Sequence, residues 1–417
     1  ARMTLSNSLG SLFLLLSCHC SAAWSSTTQQ LSRRTLPSLF SSSKTDNVDF
    51  GSTETLYTSA DITDTIRKES VMEMTKVSEV LNTFCPESSR PHLIQTNHDF
   101  TSYVQNNSIK NFLFDCDGVL YRGTDPMPSA SQTIQQLIRA GKRVYFVTNN
   151  AASTRNELKL KLEKVLKCQE EEILTEEMMI GSAYLAGQYL KSCKLKGQDE
   201  GGSNKNKARV HIIGTSGLCS EIQSAGFDVS GGQDPIYTAP SSGMSREELA
   251  SYPFQEGNID ALVIGLDNDF NFRKLCIATV LLQQNPDALL IATNLDAFDL
   301  VGFDARHLPG NGALVRAVEM ASGRTAINVG KPSSTLSELI RDVYGLKAED
   351  TMMVGDRLDT DVKFGNDSGM KSALVLTGCT ASSDIQSVVQ EDGNSSMIPS
   401  VIFPHVGYMC DEDACDN

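Results

Sequence analysis

The fold is decided by the stretch FLFDCDGVLY, residues 112–121. It begins with a short apolar run that is typical of a buried β-strand, and it then reaches Asp115 and Asp117 before Gly118 ends the run in a turn. Two carboxylates at the end of a buried strand are unfavourable unless a cation or a bound ligand compensates their charge. A magnesium-dependent phosphoryl-transfer site needs such a pair, although Asp-x-Asp also occurs in ordinary turns.

Composition excludes several classes of protein. The chain has 417 residues, of which 40% are hydrophobic and 21% charged, and this length allows two domains of ordinary size. A formal net charge of −15 argues against a nucleic-acid partner. The eleven cysteines include no Cys-x-x-Cys pair, which argues against a zinc site and a disulfide framework. No segment reaches the roughly 20 continuous apolar residues of a spanning helix, so we expect no membrane partner.

Residues 1–45 differ in composition from the rest of the chain, because they contain no Asp or Glu and are rich in Ser and Thr. Arg2, the apolar run 12–16 and the small residues 21–23 predict a signal peptide, and the acid-free continuation predicts a transit peptide. The two in tandem resemble the bipartite presequence of algae with complex plastids. We therefore expect residues 1–45 to direct the chain to a plastid (chloroplast). The alternatives are a plain secretory signal, or a disordered tail on a cytoplasmic protein.

Beyond the presequence, predicted strands alternate with predicted helices. This alternation predicts an α/β fold with a parallel sheet covered by helices on both faces, and such sheets bind ligands at the carboxyl ends of their strands. A second α/β set interrupts the first, so we expect an inserted domain. The predicted parts are an N-terminal lead-in (46–107, with an amphipathic helix over 62–84), the core (108–193 and 326–390), the insertion (194–325) and a C-terminal tail (391–417).

Polar side chains follow four of the predicted core strands, which span residues 112–114, 143–147, 326–329 and 351–354. In chain order these side chains are Asp115 with Asp117, Thr148, Lys331, and Asp356 with Asp361. Because the carboxyl ends of parallel strands meet at one edge of a sheet, we expect these groups to lie together. Carboxylates, a hydroxyl and an amine are the groups that bind a phosphoryl group through a metal ion and hydrogen-bond donors.

Four motifs carry a resemblance to a known family: FDCDGV (114–119), TNN (148–150), GKP (330–332) and VGDRLDTD (354–361). With these motifs the sequence resembles the haloacid dehalogenase superfamily of aspartyl-phosphate phosphatases, and closely the phosphoglycolate and 4-nitrophenyl phosphatase family that includes pyridoxal phosphatase. The match runs from Asn97 to Thr380. It implies the haloacid dehalogenase fold, a Rossmann-like core with an inserted α/β cap at residues 194–325. Caps of this family often mediate dimers, which favours a homodimer.

The resemblance also implies the catalytic roles. Asp115 is implied as the nucleophile that becomes an aspartyl phosphate. Asp117 is implied as the general acid for the leaving alkoxide and then as the general base for the hydrolytic water. Thr148 and nearby main-chain amides are implied to hold phosphoryl oxygens, and Lys331 to neutralise charge on the nucleophile and the phosphoryl group. Cys116 is expected to be a buried filler.

The implied cofactor is Mg²⁺. The carboxylates of Asp115 and Asp356 and the main-chain carbonyl of Asp117 are its implied ligands, because Mg²⁺ prefers oxygen ligands. Asp361 is either a further ligand or a residue that orients the ligands. Asp359 precedes a predicted helix that starts at residue 360, so we expect it to be the N-cap of that helix and not a ligand.

The implied substrate-binding residues lie on both domains. Asn149 is expected to hydrogen-bond the aspartyl nucleophile or the substrate, with a pure turn role as the alternative. In the cap, Asn294 and Asp296 begin the loop that faces the substrate, residues 294–308. Arg306 or His307 in this loop is a candidate for a substrate carboxylate, with simple solvation as an equal alternative.

These expectations converge on a magnesium-dependent phosphomonoester hydrolase acting on a small phosphorylated metabolite. A plastid location favours 2-phosphoglycolate as the substrate. The alternatives within the same chemistry are pyridoxal phosphate, glycerol 3-phosphate or a broad range of aryl phosphates. A non-catalytic scaffold that binds a phosphorylated ligand is disfavoured, because the complete set of acids and Lys331 is present.

Overall fold

The computed structural model describes residues 59–169, 173–195, 207–251, 257–301, 306–391 and 395–410. The predicted presequence lies outside these ranges, so its assignment stays a prediction. Within them, every helix is too short or too polar to cross a bilayer.

The secondary structure alternates between helix and strand along most of the chain. The helices are α1 (Ser59–Phe84), α2 (Asn97–Asn106), α3 (Ala130–Arg139), α4 (Arg155–Val165), α5 (Ser182–Ser192), α6 (Ser216–Ser224), α7 (Pro235–Thr238), α8 (Arg246–Ser251), α9 (Phe272–Gln284), α10 (Asn311–Ser322), α11 (Ser334–Asp342), α12 (Lys363–Asp367) and α13 (Ser382–Gln390). The strands are β1 (His92–Leu93), β2 (Asn111–Phe114), β3 (Tyr121–Arg122), β4 (Asp125–Pro126), β5 (Arg143–Thr148), β6 (Met179–Gly181), β7 (Arg209–Ile213), β8 (Asp228–Gly231), β9 (Ala261–Ile264), β10 (Leu289–Ala292), β11 (Phe298–Val301), β12 (Arg306–Pro309), β13 (Ile327–Asn328), β14 (Thr351–Gly355), β15 (Lys371–Val375) and β16 (Val401–Phe403).

The core is a seven-stranded parallel sheet in the order β1-β16-β15-β14-β2-β5-β6. Strand β2 lies between β14 and β5, with Phe114 opposite Val354 on one side and Phe146 on the other. All four residues of β2 are buried, as a strand covered by helices on both faces requires. The register therefore brings the ends of β2, β14 and β5 to one edge, which confirms the predicted fold class.

The core sheet extends beyond the predicted core at both ends of the chain. Strand β16 pairs with β15 and with β1, and its three residues are fully buried. We predicted residues 391–417 as a tail, and for residues 401–403 this prediction is wrong. A run of three apolar residues is too short to show a strand period, so this strand left no clear sequence signal. The helix predicted over residues 62–84 is confirmed as α1.

The second sheet has five parallel strands in the order β13-β10-β9-β7-β8. The sequence placed the strand around residues 327–328 in the core, but β13 pairs with β10 in this second sheet, so that placement is wrong. Predicted strands alternate with predicted helices in the core and in the insertion alike. This alternation therefore cannot show to which of the two sheets a two-residue edge strand belongs. Lys331, three residues after β13, therefore enters the core from the inserted domain.

The two sheets are joined by a shared hydrophobic cluster. It includes Val147 and Ile180 from the core sheet and Ile212 and Val263 from the inserted domain. Gly187 of α5 approaches α6 so closely that an added Cβ atom would lie 3.0 Å from the Cβ of Ala225. Continuous apolar packing fixes the inserted domain beside the carboxyl edge of the core sheet.

Candidate active site

A cavity of about 300 Å³ lies at the carboxyl edge of the core sheet and is lined by residues of both sheets' domains. From the core it is lined by Asp115, Asp117, Thr148, Asn149, Lys331, Asp356 and Arg357, among others, and from the insertion by Leu266, Asn294, Asp296, Phe298 and Asp299. Eight of the predicted site residues therefore line one cavity: Asp115, Asp117, Thr148, Asn149, Asn294, Asp296, Lys331 and Asp356. Asp361 lies buried behind it, and the candidate loop residues Arg306 and His307 do not line it.

Lys331 is the central cation of the site and is 2% exposed. Its Nζ donates a hydrogen bond to Asp115 Oδ1 at 2.6 Å and to the main-chain oxygen of Val147 at 2.9 Å. The same Nζ forms an ion pair with Asp361 Oδ1 at 2.7 Å. Burial disfavours the charged amine, but the two carboxylates outweigh burial and raise the pKa of Lys331 above its usual range. Lys331 is therefore a fixed positive charge beside Asp115.

Three buried carboxylates surround this single ammonium group. One oxygen each from Asp115, Asp356 and Asp361 lies within 4.8 Å of the others. Burial, reinforced by the neighbouring Asp361, raises the pKa of Asp356 to about 6. Burial also raises the pKa of Asp115 well above its usual range, although Lys331 opposes this. One ammonium group leaves negative charge uncompensated, so this cluster of hard oxygen donors fits a divalent cation.

Hydrogen bonds, mostly from main-chain amides, hold the carboxylates of Asp356 and Asp361 in place. Asp356 Oδ2 accepts a hydrogen bond from the amide of Cys379 at 2.6 Å, and its carbonyl accepts one from Thr380 Oγ1 at 2.6 Å. Gly378 packs against the same carboxylate so tightly that an added Cβ atom would lie 1.8 Å from Oδ2. Asp361 Oδ2 accepts hydrogen bonds from the amides of Asp356 and Arg357, both at 3.1 Å. Asp361 thus orients the Asp356 segment with one oxygen and Lys331 with the other.

Asp359 does not cap a helix, so that prediction is wrong. A π-helical turn spans Leu358–Val362, and Asp359 lies inside it. Its carboxylate pairs with Arg357, with a distance of 3.0 Å between Asp359 Oδ2 and Arg357 Nη2. The turn starts earlier than the sequence predicted because Asp361 must face inward to reach the amides of residues 356 and 357.

Asp117 and Thr148 border the cavity beside Asp115. Asp117 Oδ2 accepts a hydrogen bond from the Tyr121 hydroxyl at 3.2 Å, and burial raises the pKa of Asp117 despite the nearby charge of Lys161. A carboxyl group with a raised pKa is suited to donate a proton near neutral pH. Thr148 is 5% exposed at the end of β5. Cys116 is fully buried, as a filler side chain should be.

Asn149 connects the insertion to Lys331. Its Nδ2 donates to both carboxylate oxygens of Asp296, at 3.0 and 3.2 Å, and its Oδ1 accepts from the amide of Lys331 at 2.8 Å. Asn294 Nδ2 donates to the carbonyl of Asn149 at 2.7 Å. The Asn149 side chain thus bonds to Asp296 and Lys331 and makes no hydrogen bond to Asp115 in the described part of the chain. Burial raises the pKa of Asp296 to about 6.

Two arginines that the sequence did not single out line the cavity. Arg122 Nη2 donates to the carbonyl of Thr377 at 2.6 Å, and within the described ranges no carboxylate lies at ion-pair distance from Arg122. Arg357 is neutralised by Asp359 and lies over the Phe298 ring, 5.2 Å from its centroid. Arg122 follows the Asp-x-Asp motif in a short hairpin, and no sequence spacing marks it as a site residue.

The two loop residues predicted for a substrate carboxylate lie elsewhere. Arg306 and His307 are exposed on β12, and neither is among the described residues that line the cavity. The His307 ring stacks on Phe298, with 4.1 Å between the ring centroids. Phe298 reaches the cavity in their place, because β11 and β12 form an antiparallel hairpin whose β11 side faces the site.

Comparisons with known proteins agree with this geometry. A haloacid dehalogenase-like hydrolase model matches residues 112–228, and a related HAD-like hydrolase model matches residues 328–401. The chain is 35% identical over 303 residues to the chloroplastic phosphoglycolate phosphatase 1A of Arabidopsis thaliana, which covers 71% of this chain and 77% of that protein. It belongs to the haloacid dehalogenase-like hydrolases.

Other relatives place the chain among phosphatases of this family. It is 35% identical to the glycerol-3-phosphate phosphatase of Rattus norvegicus, over 68% of this chain and 84% of that one. It is 34% identical to chronophin of Mus musculus, over 69% and 87% of the two chains. The glycerol phosphate phosphatase Rv1692 of Mycobacterium tuberculosis, solved in complex with magnesium, superposes with a TM-score of 0.56 at 27% identity, covering 72% of this chain and 76% of that one. The family resemblance inferred from the motifs is confirmed.

The raised pKa of Asp296 predicts a pH dependence of stability. The folded protein holds the Asp296 proton up to about pH 6, whereas the unfolded chain releases it near the ordinary value of 3.8. The wild type therefore loses free energy of unfolding as the pH rises through this window, and the loss is complete above it. We predict that Asp296→Asn gains about 2 kcal/mol relative to wild type between pH 4 and pH 7, measured by urea unfolding. Asp287→Asn, at an exposed position of the inserted domain, is the matched control. The prediction would be contradicted if the free energy of unfolding depended on pH in the same way in Asp296→Asn and in wild type.

Proposed function

We propose that the protein is a magnesium-dependent phosphomonoester hydrolase that works through an aspartyl phosphate on Asp115. The observation that carries this proposal is the buried Asp115 carboxylate, held by Lys331 at 2.6 Å and adjacent to Asp356 and Asp361. The relatives named as phosphatases support the same reaction class.

In the first step, a carboxylate oxygen of Asp115 attacks phosphorus and the bond from phosphorus to the substrate's ester oxygen breaks. Asp117 gives its proton to that oxygen, which leaves as an alcohol. The raised pKa of Asp117 supports this role, because it keeps the proton on the acid until it is needed. Lys331 reduces the charge repulsion between the Asp115 carboxylate and the phosphoryl oxygens, and Thr148 offers a hydroxyl donor to one of those oxygens.

In the second step, Asp117 takes a proton from a water molecule, whose oxygen attacks phosphorus. The bond between phosphorus and Asp115 breaks, and inorganic phosphate leaves. Because Lys331 is buried, its charge acts in surroundings of low dielectric constant, and this strengthens its electrostatic contribution in both steps.

Magnesium is the proposed cofactor. The carboxylates of Asp115 and Asp356 and the carbonyl of Asp117 would hold it, with Asp361 orienting the Asp356 segment. When bound, it neutralises carboxylate and phosphoryl charge that Lys331 alone leaves uncompensated. The structure of the mycobacterial relative in complex with magnesium supports this choice of metal.

The proposed substrate is 2-phosphoglycolate, and Arg122 is the residue we assign to its carboxylate. Arg122 lines the cavity, and its guanidinium is bonded to the neutral carbonyl of Thr377, which leaves its charge available for an anion. Arginine suits planar carboxylates because it can form two parallel hydrogen bonds. Glycerol 3-phosphate and pyridoxal phosphate are the alternatives, supported by the relatives named glycerol-3-phosphate phosphatase and chronophin.

The proposed location is the plastid. The composition of residues 1–45 supports it, and so do the chloroplastic phosphoglycolate phosphatases 1A and 1B of Arabidopsis thaliana. The homodimer that the family resemblance implies stays a prediction.

Asp117 is tested by changing the leaving group. In Asp117→Asn we expect kcat/KM for an alkyl ester such as 2-phosphoglycolate to fall by about 10²–10⁴-fold, because the alkoxide then leaves without a proton. With 4-nitrophenyl phosphate the loss in the first step should be much smaller, since 4-nitrophenolate leaves readily without protonation. Steady-state and single-turnover rates on both substrates provide the measurement. Equal losses in the single-turnover rate on both substrates would argue that Asp117 is not the general acid.

The substrate assignment is tested with a panel of phosphate esters in magnesium and in EDTA. We expect the wild type to prefer 2-phosphoglycolate over glycerol 3-phosphate, pyridoxal phosphate and 4-nitrophenyl phosphate. In Arg122→Met, KM for 2-phosphoglycolate should rise by about 10–100-fold, the value of a charge-assisted hydrogen bond, with little change for 4-nitrophenyl phosphate.

Arg122→Lys is the matched control because it keeps the charge, and it should retain part of the preference. Similar wild-type rates on all four esters would contradict the substrate assignment and leave the mechanism standing. No magnesium-dependent turnover of any ester would favour a phosphate-binding scaffold instead.

A further inference from the structure

Helix α1 lies directly behind the loops that carry the site. It precedes the residues that either family model matches. Its buried residues Met74, Val77 and Leu81 belong to one hydrophobic cluster with Leu358 and Val362 of the π-helical turn, and with residues at the end of β15. Those two elements lead to Asp361 and to the loop that contacts Asp356.

A carboxylate of α1 reaches the start of α13. Glu73 Oε1 accepts a hydrogen bond from the main-chain amide of Ser382 at 2.6 Å, and Glu73 Oε2 pairs with Lys76 at 2.9 Å. Burial disfavours the ionised form of Glu73, but hydrogen bonds from Ser382 and Lys76 outweigh it and lower the pKa of Glu73. Glu73 is therefore an anion at the positive end of α13.

Glu73 supplies an acceptor at the start of α13 that the N-cap side chain cannot supply, and Asp384 Oδ2, in the first turn, accepts a hydrogen bond only from the neighbouring amide of Ala381, at 2.8 Å. Ser382 is the first residue of α13, and its amide has no partner within the helix. The residue at the N-cap position is Ala381, whose side chain has no oxygen to accept a hydrogen bond. The acceptor comes instead from Glu73, which lies 309 positions away in the sequence.

The loop that ends at this cap holds the site. Between β15 and α13, residues 377–381 donate to Asp356 from the Cys379 amide and from Thr380 Oγ1, both at 2.6 Å. The same loop accepts the hydrogen bond of Arg122 at Thr377. One end of the loop is fixed by β15 in the core sheet. The other end is held at Ala381 by Asp384 of the same helix and at Ser382 by Glu73, which ties it to α1.

We propose that Glu73 is a positioning residue of the metal site, because it fixes the start of α13 and so holds loop 377–381 against Asp356. The proposal rests on the proposed function, since it assumes that Asp356 holds Mg²⁺. Glu73 itself lies outside the cavity and acts only through the loop.

The test is the affinity of the full chain for Mg²⁺ alone, measured by isothermal titration calorimetry. Outer-shell partners of metal ligands typically contribute about 10–100-fold to affinity, and Glu73 lies one step further out, so we expect Glu73→Ala to weaken Mg²⁺ binding by about three- to tenfold. Glu73→Gln keeps an acceptor oxygen and should stay within about twofold of wild type. Glu69→Ala, an exposed glutamate on the same helix, is the matched control and should not change the affinity.

A second variant removes the donor in place of the acceptor. Ser382→Pro deletes the amide hydrogen at the first helical position, where proline is favoured, and Ala381 has the extended backbone that precedes proline. It should weaken Mg²⁺ binding to the same extent as Glu73→Ala, and the double variant should show no additional loss. Ser382→Pro also provides the test if Glu73→Ala does not fold.

The outcomes separate the two proposals. Wild type that binds no Mg²⁺ would overturn the proposed function. If the wild type binds Mg²⁺ and both Glu73→Ala and Ser382→Pro bind it as tightly as the wild type does, the proposed role of Glu73 is overturned. If the two variants melt at a lower temperature than the wild type in EDTA but bind Mg²⁺ with unchanged affinity, Glu73 contributes to stability alone, and this too would overturn the proposal.

Discussion

The ion pair between Lys331 and Asp115 joins the two domains at the candidate active site. Asp115 follows β2, an interior strand of the core sheet, and Lys331 follows the last strand of the inserted domain. The pair is 2.6 Å long and nearly inaccessible to solvent. Removing one partner of such a pair leaves an uncompensated buried charge, which typically costs about 3–5 kcal/mol. The position of the insertion relative to the core therefore depends on this contact as well as on apolar packing.

The same site carries more negative charge than a stable core would select. Asp115, Asp356 and Asp361 share one buried ammonium group, and burial raises the pKa of both Asp115 and Asp356. This arrangement lowers stability in the absence of a cation and gains free energy when a cation binds. Main-chain amides, the tight approach of Gly378 and the loop before α13 hold the carboxylates close together despite their repulsion. The fold thus keeps an excess of buried negative charge at this site, which a bound cation would compensate.

The sequence predicted which polar residues meet at the candidate active site better than it predicted the strands and contacts around them. Asp115, Asp117, Thr148 and Asp356 were predictable because each lies at the end of a short apolar strand or within three residues after it, and a parallel sheet brings such ends together. Lys331 lies beside Asp115 in the cavity, as the sequence predicted, but the predicted route was wrong, because its strand belongs to the insertion and not to the core sheet.

Short-range sequence patterns could not predict contacts between residues that lie far apart in the sequence. Strand β16 is too short for a period, and Arg122 reaches the cavity only because its hairpin folds over Thr377. Asn149 was expected to hydrogen-bond the nucleophile or the substrate, and local patterns gave no sign that its side-chain NH₂ group donates to Asp296, which lies 147 positions away. Glu73 shows the same limit, since nothing in the sequence near Ala381 indicates which residue accepts the hydrogen bond of the Ser382 amide.

The most direct test of the account is a crystal structure of the protein grown with magnesium and beryllium trifluoride, which mimics a phosphoryl group on a carboxylate. We predict a beryllium trifluoride group on a carboxylate oxygen of Asp115, with Lys331 beside it and a magnesium ion in contact with Asp115 and Asp356. An adduct on another residue, or a metal ion bound away from Asp356, would contradict it.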